Sequence, residues 1–290
     1  MSGADGGGLV LRTGDGAAVA GRRFDAPRPR AAVVVAPALG VPQDFYRDFA
    51  GWLAQRGYTT LTFDYRGIGQ SAPPSLRRFR ATIDDWARFD LEAALAHARE
   101  STGGLPLFVV GHSLGAQLAA LPPSAHAVRA LVAVAGGSGY WRGFPPRMRA
   151  QMLLMLHGVA PLSIPLAGYF PGRRLRILGD LPAGVMRQWR RWCLDEDYLI
   201  GVEPGAREAY AQARFDVLSL TFADDTMMPQ GNVERLHAHL RGVRRESRRI
   251  SPAEAGGPVG HMGFFRARHR DSLWPVAAEW LDARCAAPAA

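Results

Sequence analysis

A serine framed by two glycines, Gly111-x-Ser113-x-Gly115, is the stretch of this sequence whose residue types and spacing best fit a chemical role. The residues before it, 106–110, form a short apolar run rich in Val and Phe, which is typical of a buried parallel strand. The residues after it, 116–121, are predicted to form a short helix that a pair of prolines ends. The order strand, tight turn, helix presents a serine hydroxyl at the end of a strand, where it can act as a nucleophile.

The two glycines have a steric role in this prediction. A side chain two residues before or after the serine would clash as the strand and the helix approach each other. The five-residue pattern alone is a weak signal, because a glycine–serine turn can occur in any α/β protein. The strand before it and the helix after it strengthen the prediction of a reactive serine.

The elements that must position this serine alternate between strand and helix from residue 31 onward. The predicted strands cover residues 9–12, 17–24, 31–36, 58–63, 106–110, 130–135 and 217–223, with a short strand ending near residue 250. The predicted helices cover residues 43–56, 82–99, 116–121, 233–240 and 272–284. This alternation predicts an antiparallel start followed by a mainly parallel sheet with helices on both faces.

Ligand sites in such sheets gather beyond the carboxyl ends of the strands. The stretches that follow predicted strands are residues 37–40, 64–69 and 136–139, together with Ser113. We therefore expect the chemistry of this protein at that edge of the sheet.

The alternation stops between residues 140 and 201, which are helical in pattern and interrupted by prolines. We interpret them as a helical cap inserted into a core domain formed by residues 1–139 and 202–290. Residues 151–170 are strongly apolar, but glycines, prolines and a histidine break the run and argue against a membrane-spanning helix. Flanking arginines leave contact with a membrane surface open. We favour the alternative, in which this segment packs its apolar face over a core and a pocket.

The composition, with 48% hydrophobic and 21% charged residues, is typical of a soluble globular protein. The net charge of +9 comes from 35 scattered arginines without an aromatic-interleaved basic surface, so we do not expect a nucleic-acid partner. Cys193 and Cys285 have no metal-ligand spacing and cannot form a disulfide framework. Residues 1–8 have neither a basic start nor an apolar run, so we predict no secretory signal and a cytoplasmic location.

Over almost its whole length the sequence resembles the α/β-hydrolase superfamily. The stretches that carry the resemblance are Gly111-His112-Ser113-Leu114-Gly115, the turn 64–71, Asp224-Asp225 with Pro229, and Gly260-His261. Their order, serine, then acid, then histidine, is the order that this superfamily uses. The resemblance implies an α/β-hydrolase fold with an inserted helical cap. The cap is similar to that of a bacterial subgroup, and this likeness implies no particular substrate.

The resemblance implies a catalytic triad of Ser113, Asp225 and His261. A serine hydroxyl is a weak nucleophile until a base takes its proton, and His261 lies alone in a glycine-rich loop after the last strand. The acid orients this histidine and stabilises its charged form. Asp225 fits the usual position, four residues before Pro229, and Asp224 stays open as the alternative.

Other polar residues are expected to have structural roles. The side chain of His112 faces away from that of the serine and is expected to pack behind it. His237 and His239 lie two residues apart on a predicted surface helix, and without a third ligand we expect them to be solvated. Asp64 is expected to brace its own turn. No metal and no cofactor is predicted.

The resemblance also implies an oxyanion hole made of two backbone amides, those of Leu39 and Leu114. Leu114 follows the nucleophile, and Leu39 lies in the loop after the third strand. Many relatives carry His-Gly where this chain has Pro37-Ala38. The donor from this loop is therefore left open between Leu39 and Ala38.

Together these residues predict a serine hydrolase that acts on a carboxylic ester through an acyl-enzyme, as esterases and lipases do. The Met- and Leu-rich cap favours a small hydrophobic ester as the substrate. An acyltransferase or a thioesterase would use the same residues. A non-catalytic, ligand-binding member of the fold is the alternative from a different class. The sequence indicates no particular oligomeric state.

Overall fold

An eight-stranded, mostly parallel sheet forms the centre of the protein in a computed structural model that describes residues 6–285. The first five and last five residues lie outside this part. The predicted core domain was 1–139 and 202–290, and its two outer ends therefore lie outside the described residues. The same holds for most of residues 1–8, where no secretory signal is predicted.

The strands of the main sheet are joined in an order that requires crossovers between the two faces. The strands are β1 (Gly7–Arg12), β2 (Ala18–Phe24), β3 (Ala31–Ala36), β4 (Tyr58–Phe63), β5 (Leu107–His112), β6 (Val128–Val134), β7 (Tyr169–Phe170), β8 (Leu181–Pro182), β9 (Asp216–Phe222) and β10 (Arg245–Ile250). The main sheet has the order β1-β2-β4-β3-β5-β6-β9-β10, and β7 pairs only with β8. β2 is antiparallel to both β1 and β4, and every other pairing in the main sheet is parallel.

Helices cover both faces of this sheet. They are α1 (Arg47–Gln55), α2 (Ile83–Asp85), α3 (Glu92–Ser101), α4 (Leu114–Leu118), α5 (Pro146–Leu154), α6 (Ala160–Ala167), α7 (Gly172–Leu175), α8 (Ala183–Leu194), α9 (Leu199–Val202), α10 (Ala206–Gln212), α11 (Gln230–His237) and α12 (Trp274–Cys285). Single π-helical turns, Trp86–Leu91 and Met155–Val159, join α2 to α3 and α5 to α6. Short 3-10 helices cover Gln43–Tyr46, Gly69–Ser71, Pro123–Ala127, Trp141–Gly143, Gly263–Phe265 and Ala267–His269.

The central strand β3 shows how the hydrophobic sequence produces two core layers. Its residues alternate between the faces of the sheet, as strand geometry requires. Ala32, Val34 and Ala36 belong to the cluster shared with α3 and the cap. Val33 and Val35 belong to the opposite cluster, which α1 and α12 complete with aromatic side chains. Burial of both faces explains why this strand is an unbroken apolar run.

The predicted fold class is confirmed, and the core elements differ from the predicted ones mainly at their ends. The predicted helix 43–56 begins with a 3-10 turn before α1. The predicted helix 82–99 is interrupted by a π-helical turn. Its start is confirmed: Thr82 and Asp85 form a capping box, in which each side chain accepts a hydrogen bond from the other's backbone N–H.

The residues between β6 and β9 hold α5–α10 and the small β7–β8 sheet. The two ends of the predicted cap meet on the core, because a Cβ placed on Gly139 would lie 2.9 Å from Tyr198 Cε2 and 3.2 Å from Cys193 Sγ. The bounds 140–201 stay a prediction, since α9 crosses the second of them.

A continuous helix over Pro146–Ala167 crosses the cap. It is 22 residues long with a mean hydropathy of 1.4, long and apolar enough to cross a membrane by length and composition, and only 28% of its most apolar window is buried. The interpretation that this segment packs its apolar face over a core therefore describes one side of the helix only. Its other side exposes Leu154, Leu162 and Leu166.

Candidate active site

Ser113 lies at the tip of a strained turn between β5 and α4. Its backbone angles are φ 50° and ψ −111°, a conformation that an L-residue rarely adopts. The Ser113 amide donates to the carbonyl of Val134 at 2.8 Å, which joins the turn to the end of the neighbouring strand β6. The side chain is partly exposed, whereas the residues on both sides of it are buried. The turn thus holds one hydroxyl at the accessible edge of the sheet.

The two glycines of the motif allow the backbone to pass at this turn. A Cβ at Gly111 would lie 2.5 Å from Ala116 Cα, and a Cβ at Gly115 would lie 2.0 Å from the carbonyl oxygen of Ala36. Both obstacles are backbone atoms that cannot rotate away. The predicted steric role of the glycines is confirmed.

His261 and Asp225 form a hydrogen-bonded pair between the loops that follow β10 and β9. His261 Nδ1 donates to Asp225 Oδ2 at 2.8 Å, and the two side chains are 9% and 1% exposed. The other carboxylate oxygen of Asp225 accepts from the amides of Met227 and Met228 at 2.8 and 3.0 Å. Because the carboxylate accepts, the histidine proton lies on Nδ1 and leaves a lone pair on Nε2.

Asp224 has a different set of partners. Its two carboxylate oxygens accept from the amides of Val259 and Gly260 at 2.9 and 3.0 Å. Burial acts to raise the pKa of Asp224, but the amides of Gly260 and Val259 outweigh it and lower the pKa. Asp224 therefore fixes the loop that leads into His261, while Asp225 contacts the imidazole.

The Ser113 turn and the His261 loop meet through His112. The ring of His112, the residue before the serine, lies with its centroid 5.4 Å from that of His261. Within residues 6–285, no hydrogen bond joins the serine hydroxyl to the His261 ring. Such bonds are often long in the absence of substrate and shorten when it binds.

A buried chain of hydrogen bonds connects the loop after β3 to the His261 loop. The Ala38 amide donates to Tyr46 Oη at 2.9 Å. Tyr46 Oη and His112 Nδ1 are 2.9 Å apart, and His112 Nε2 lies 2.9 Å from the carbonyl oxygen of His261. A carbonyl can only accept, so His112 donates from Nε2 and Tyr46 donates to its Nδ1. Burial lowers the pKa of His112 to about 3, which keeps this ring neutral and its donor direction fixed.

We expect Tyr46→Phe to lower the free energy of unfolding by about 1–3 kcal/mol, because the Ala38 amide and His112 Nδ1 lose their buried partner. We also expect kcat to fall several-fold with little change in KM, because the position of the His261 loop is no longer fixed through His112. Urea denaturation and steady-state kinetics measure the two effects.

Tyr65→Phe is the matched control for that substitution. Tyr65 is equally buried, but its hydroxyl has no hydrogen-bond partner. Removing this hydroxyl should leave stability unchanged or raise it slightly. Equal losses of stability in Tyr46→Phe and Tyr65→Phe would contradict a role of the Tyr46 hydrogen bonds.

The same chain of hydrogen bonds bears on the choice of oxyanion donor. The Ala38 amide is occupied by Tyr46, whereas the amides of Leu39 and Leu114 donate to no other group within the described residues. Leu39 is partly exposed and lies between the buried Ala38 and the left-handed Gly40. This arrangement leaves Leu39 and Leu114 as the available donors.

Asp64 joins the turn after β4 to the start of the helix that follows the Leu39 loop. Its carboxylate accepts from the amide and the side-chain nitrogen of Gln43 at 2.8 and 3.0 Å, and from the Gln70 amide at 2.9 Å. Burial raises the pKa of Asp64, and the hydrogen bonds from Gln43 and Gln70 counteract this only in part. The predicted bracing role of Asp64 is confirmed, and it extends to a second loop.

The cap touches the core at the Leu39 loop. A Cβ at Gly40 would lie 3.2 Å from Leu181 Cδ2 and 3.4 Å from the Gly179 amide. A cleft of about 360 Å³ lies elsewhere, between α2 and α8, and Ser113 is not among the residues that line it. Cap residues around β8 therefore pack against the loop that holds Leu39.

Of the other histidines, His112 is buried as predicted, but the expectation for His237 is wrong. His237 is 6% exposed, and burial lowers its pKa to about 4. It lies on the inner side of α11 with Val233 and Leu236, and the buried Leu240 follows just after this helix. His239, two residues on, is partly exposed. Within residues 6–285 no group of three or more His, Cys, Asp or Glu side chains could hold a metal ion.

The sheet order, the strained serine turn after β5 and the pairing of a histidine with the acid after β9 define an α/β-hydrolase. A family profile described as "Serine aminopeptidase, S33" matches residues 27–174. The chain belongs to this family of hydrolases. No curated protein matches the sequence.

Solved structures with the same fold match nearly the whole chain. DcsB, determined in complex with its substrate analogue, is 16% identical, with a TM-score of 0.66 over 96% of this chain and 99% of its own. A soluble variant of monoglyceride lipase from Saccharomyces cerevisiae, in complex with a substrate analogue, is 16% identical, with a TM-score of 0.64 over 96% and 95%. A thermostable carboxyl esterase from Bacillus coagulans is 14% identical, with a TM-score of 0.61 over 96% and 98%. These likenesses extend the fold assignment to about 96% of the chain.

Proposed function

We propose that this hydrolase cleaves carboxylic esters with Ser113 as its nucleophile, His261 as its base and Asp225 as its acid. The observation that carries the proposal is the 2.8 Å bond from His261 Nδ1 to Asp225 Oδ2, beside a serine held on a strained turn. That bond leaves Nε2 unprotonated, as a general base requires. Asp224 makes no such contact with the imidazole.

In the first half of the proposed reaction, His261 Nε2 takes the hydroxyl proton as Ser113 Oγ attacks the ester carbonyl. The C=O electron pair moves onto oxygen, and the amides of Leu39 and Leu114 stabilise the oxyanion. When this intermediate collapses, the C–O bond to the alcohol breaks and His261 returns the proton to the leaving oxygen. An acyl-Ser113 ester and a free alcohol result.

In the second half, water repeats the role of the serine. His261 takes a proton from water, the resulting hydroxide attacks the acyl carbonyl, and the carboxylic acid leaves as Ser113 regains its proton. Asp225 stabilises the imidazolium in both halves without taking the proton. An acyltransferase or a thioesterase differs only in the acceptor or the leaving group, and these are the alternatives.

The family description raises peptide amides as a second substrate class. An aminopeptidase must recognise a free α-amine, which a carboxylate does best. Residues 101–179 contain no Asp or Glu. Of the four acids in residues 140–201, Glu196 and Asp197 pair with Arg235 and Arg207, whereas Asp180 and Asp195 accept from the amides of Arg173 and Asp197. The substrate comparison below decides between an ester and a peptide amide.

Labelling with a fluorophosphonate tests the proposal. We expect one equivalent of label per chain, located on Ser113 by mass spectrometry, and no label on Ser113→Ala or His261→Ala. Ser138→Ala is the matched control, because this buried serine follows the neighbouring strand β6 and its hydroxyl accepts a hydrogen bond from the Tyr140 amide. It should label like the unaltered protein.

Unlabelled protein would then be compared on p-nitrophenyl acyl esters and aminoacyl p-nitroanilides. Faster turnover of the esters supports the proposal. No labelling of the folded protein would refute a serine nucleophile, and turnover of anilides alone would refute the ester assignment while leaving the nucleophile intact.

A further inference from the structure

The exposed apolar side chains of this protein are concentrated on the cap. Within residues 6–285, the exposed large hydrophobic residues are Val10, Leu154, Leu162, Leu166, Leu175, Ile177 and Met227. Five of these seven lie between residues 154 and 177, and three of the five are on the Pro146–Ala167 helix with exposed fractions of 66–78%. Scattered exposed hydrophobic residues need no explanation, but a contiguous group indicates a contact surface. We call Leu154, Leu162 and Leu166 the leucine row.

The π-helical turn Met155–Val159 brings the leucine row into line. In an uninterrupted α-helix, Leu154 and Leu162 would be about 80° apart around the axis. One extra residue in a π turn reduces this to about 20°, on the same side as Leu166. The helix therefore presents one continuous apolar edge.

The opposite side of this helix is fixed to the protein. Met152, Leu156, Ala160 and Ile164 are buried in the main core cluster. Arg190 Nε also donates to the carbonyl of Leu156 at 2.5 Å. A membrane-spanning helix would have to leave these partners, whereas a helix lying flat on a surface would keep them.

The sequence around the leucine row is rich in arginine, and the first acidic residue after the row is Asp180, which accepts from the Arg173 amide. Residues 101–179 contain no Asp or Glu. Six arginines flank the row in sequence: Arg142, Arg147, Arg149, Arg173, Arg174 and Arg176. None of the six forms a salt bridge within the described residues, and all but Arg149 are exposed. Arg77 adds a guanidinium at the helix end, where it donates to the Leu166 carbonyl at 3.3 Å.

This combination fits a lipid surface better than a second copy of the chain. At an anionic bilayer, leucines enter the acyl boundary while arginines reach the phosphates. A symmetric dimer through the same face would bring arginines that have no salt-bridge partner towards their counterparts, and like charges across an interface repel.

We propose that the leucine row and its flanking arginines dock the cap on the surface of an anionic membrane. The helix lies flat, with its buried side still packed on the protein. This docking does not depend on the proposed catalytic function, because no residue of the candidate active site takes part in it.

Vesicle co-sedimentation with the full chain tests the docking. We expect binding to phosphatidylcholine vesicles that contain about 30% phosphatidylglycerol, and binding on the order of ten-fold weaker to pure phosphatidylcholine. The triple variant Leu154→Gln/Leu162→Gln/Leu166→Gln should bind the anionic vesicles at least about ten-fold more weakly. Gln keeps the helix propensity of Leu, so circular dichroism should be unchanged.

Two further variants separate the contribution of the leucine row to vesicle binding from that of the arginines. Val10→Gln removes an equally exposed hydrophobic residue outside the cap and should bind like the unaltered protein. Arg173→Gln/Arg174→Gln/Arg176→Gln should lose most of the preference for anionic over neutral vesicles. The proposal is overturned if the folded protein binds neither vesicle, if the leucine variant binds as well as the parent, or if the leucine row instead controls dimerisation without lipid.

Discussion

Asp225→Asn should turn over an activated ester about 10⁴-fold more slowly than the unaltered protein, mainly through kcat. Two backbone amides, those of Met227 and Met228, point at one oxygen of Asp225 and require an acceptor there. The Asn oxygen therefore occupies that position, and its NH2 group faces His261 Nδ1. An NH2 donor at Nδ1 holds the imidazole in the tautomer protonated on Nε2, which cannot accept the serine proton.

Asp224→Asn is the matched control, since it makes the same change one residue earlier. Asp224 accepts from the amides of Val259 and Gly260 but does not contact the imidazole. Loss of one of these hydrogen bonds loosens the loop that leads into His261, so we expect kcat to decrease about ten-fold or less. Steady-state kinetics on a p-nitrophenyl ester measures both variants. A larger loss in Asp224→Asn than in Asp225→Asn would reverse the assignment of the acid.

Gly115→Ala should destabilise the fold by on the order of 4 kcal/mol or more. The new Cβ would lie 2.0 Å from the Ala36 carbonyl oxygen and 2.8 Å from that of Pro37. Both atoms belong to the backbone at the end of β3, so either α4 or the central strand must shift. Because the same backbone leads into Leu39, the candidate oxyanion donors would separate as well. Soluble yield, circular dichroism and urea denaturation measure the effect.

Gly231→Ala is the control, and we expect it to raise stability where Gly115→Ala lowers it. Gly231 lies on the exposed side of α11, with nothing within 4 Å of its Cβ position beyond its own helix. Alanine at such a helix position should stabilise the protein by about 0.5–1 kcal/mol. If Gly115→Ala is as stable as the unaltered protein, α4 does not lie as close to the end of β3 as described above.

The parts of the fold that were predictable from sequence are those with strong local signals. β3 and β5 are unbroken apolar runs, and the glycines around Ser113 allow only a sharp turn there. The parallel topology then follows from alternation of strands and helices. The approach of the His261 loop to the Asp224-Asp225 pair was predictable for the same reason, because both follow strands whose ends lie at the same edge.

The supporting hydrogen bonds were not predictable in this way. Tyr46 lies beside Phe45 in a helical stretch, and nothing local distinguishes which of the two rings turns inward. Its partners, Ala38 and His112, are brought to it by the sheet, from positions 8 and 66 residues away. The choice between Asp224 and Asp225 likewise depends on loop geometry rather than on residue type.

For His237 and for the apolar cap helix, residue type led to wrong predictions of burial. Val233, Leu236 and His237 share one helical side, so the spacing already indicated burial of His237, but its polarity suggested solvent. For the helix Pro146–Ala167 the apolar composition suggested burial, and the leucine row is nevertheless exposed. Composition predicts burial only where the protein supplies a surface to cover each side.

The meeting of Gly139 with Tyr198 and Cys193 bears on how the fold tolerates changes of length. A segment that leaves and rejoins the core at one place can change in length or shape with little effect on the entropy of closing that loop. The sheet, the serine turn and the loops of Asp225 and His261 all lie outside it. We therefore expect changes of length within this segment to leave the main sheet and the serine turn folded.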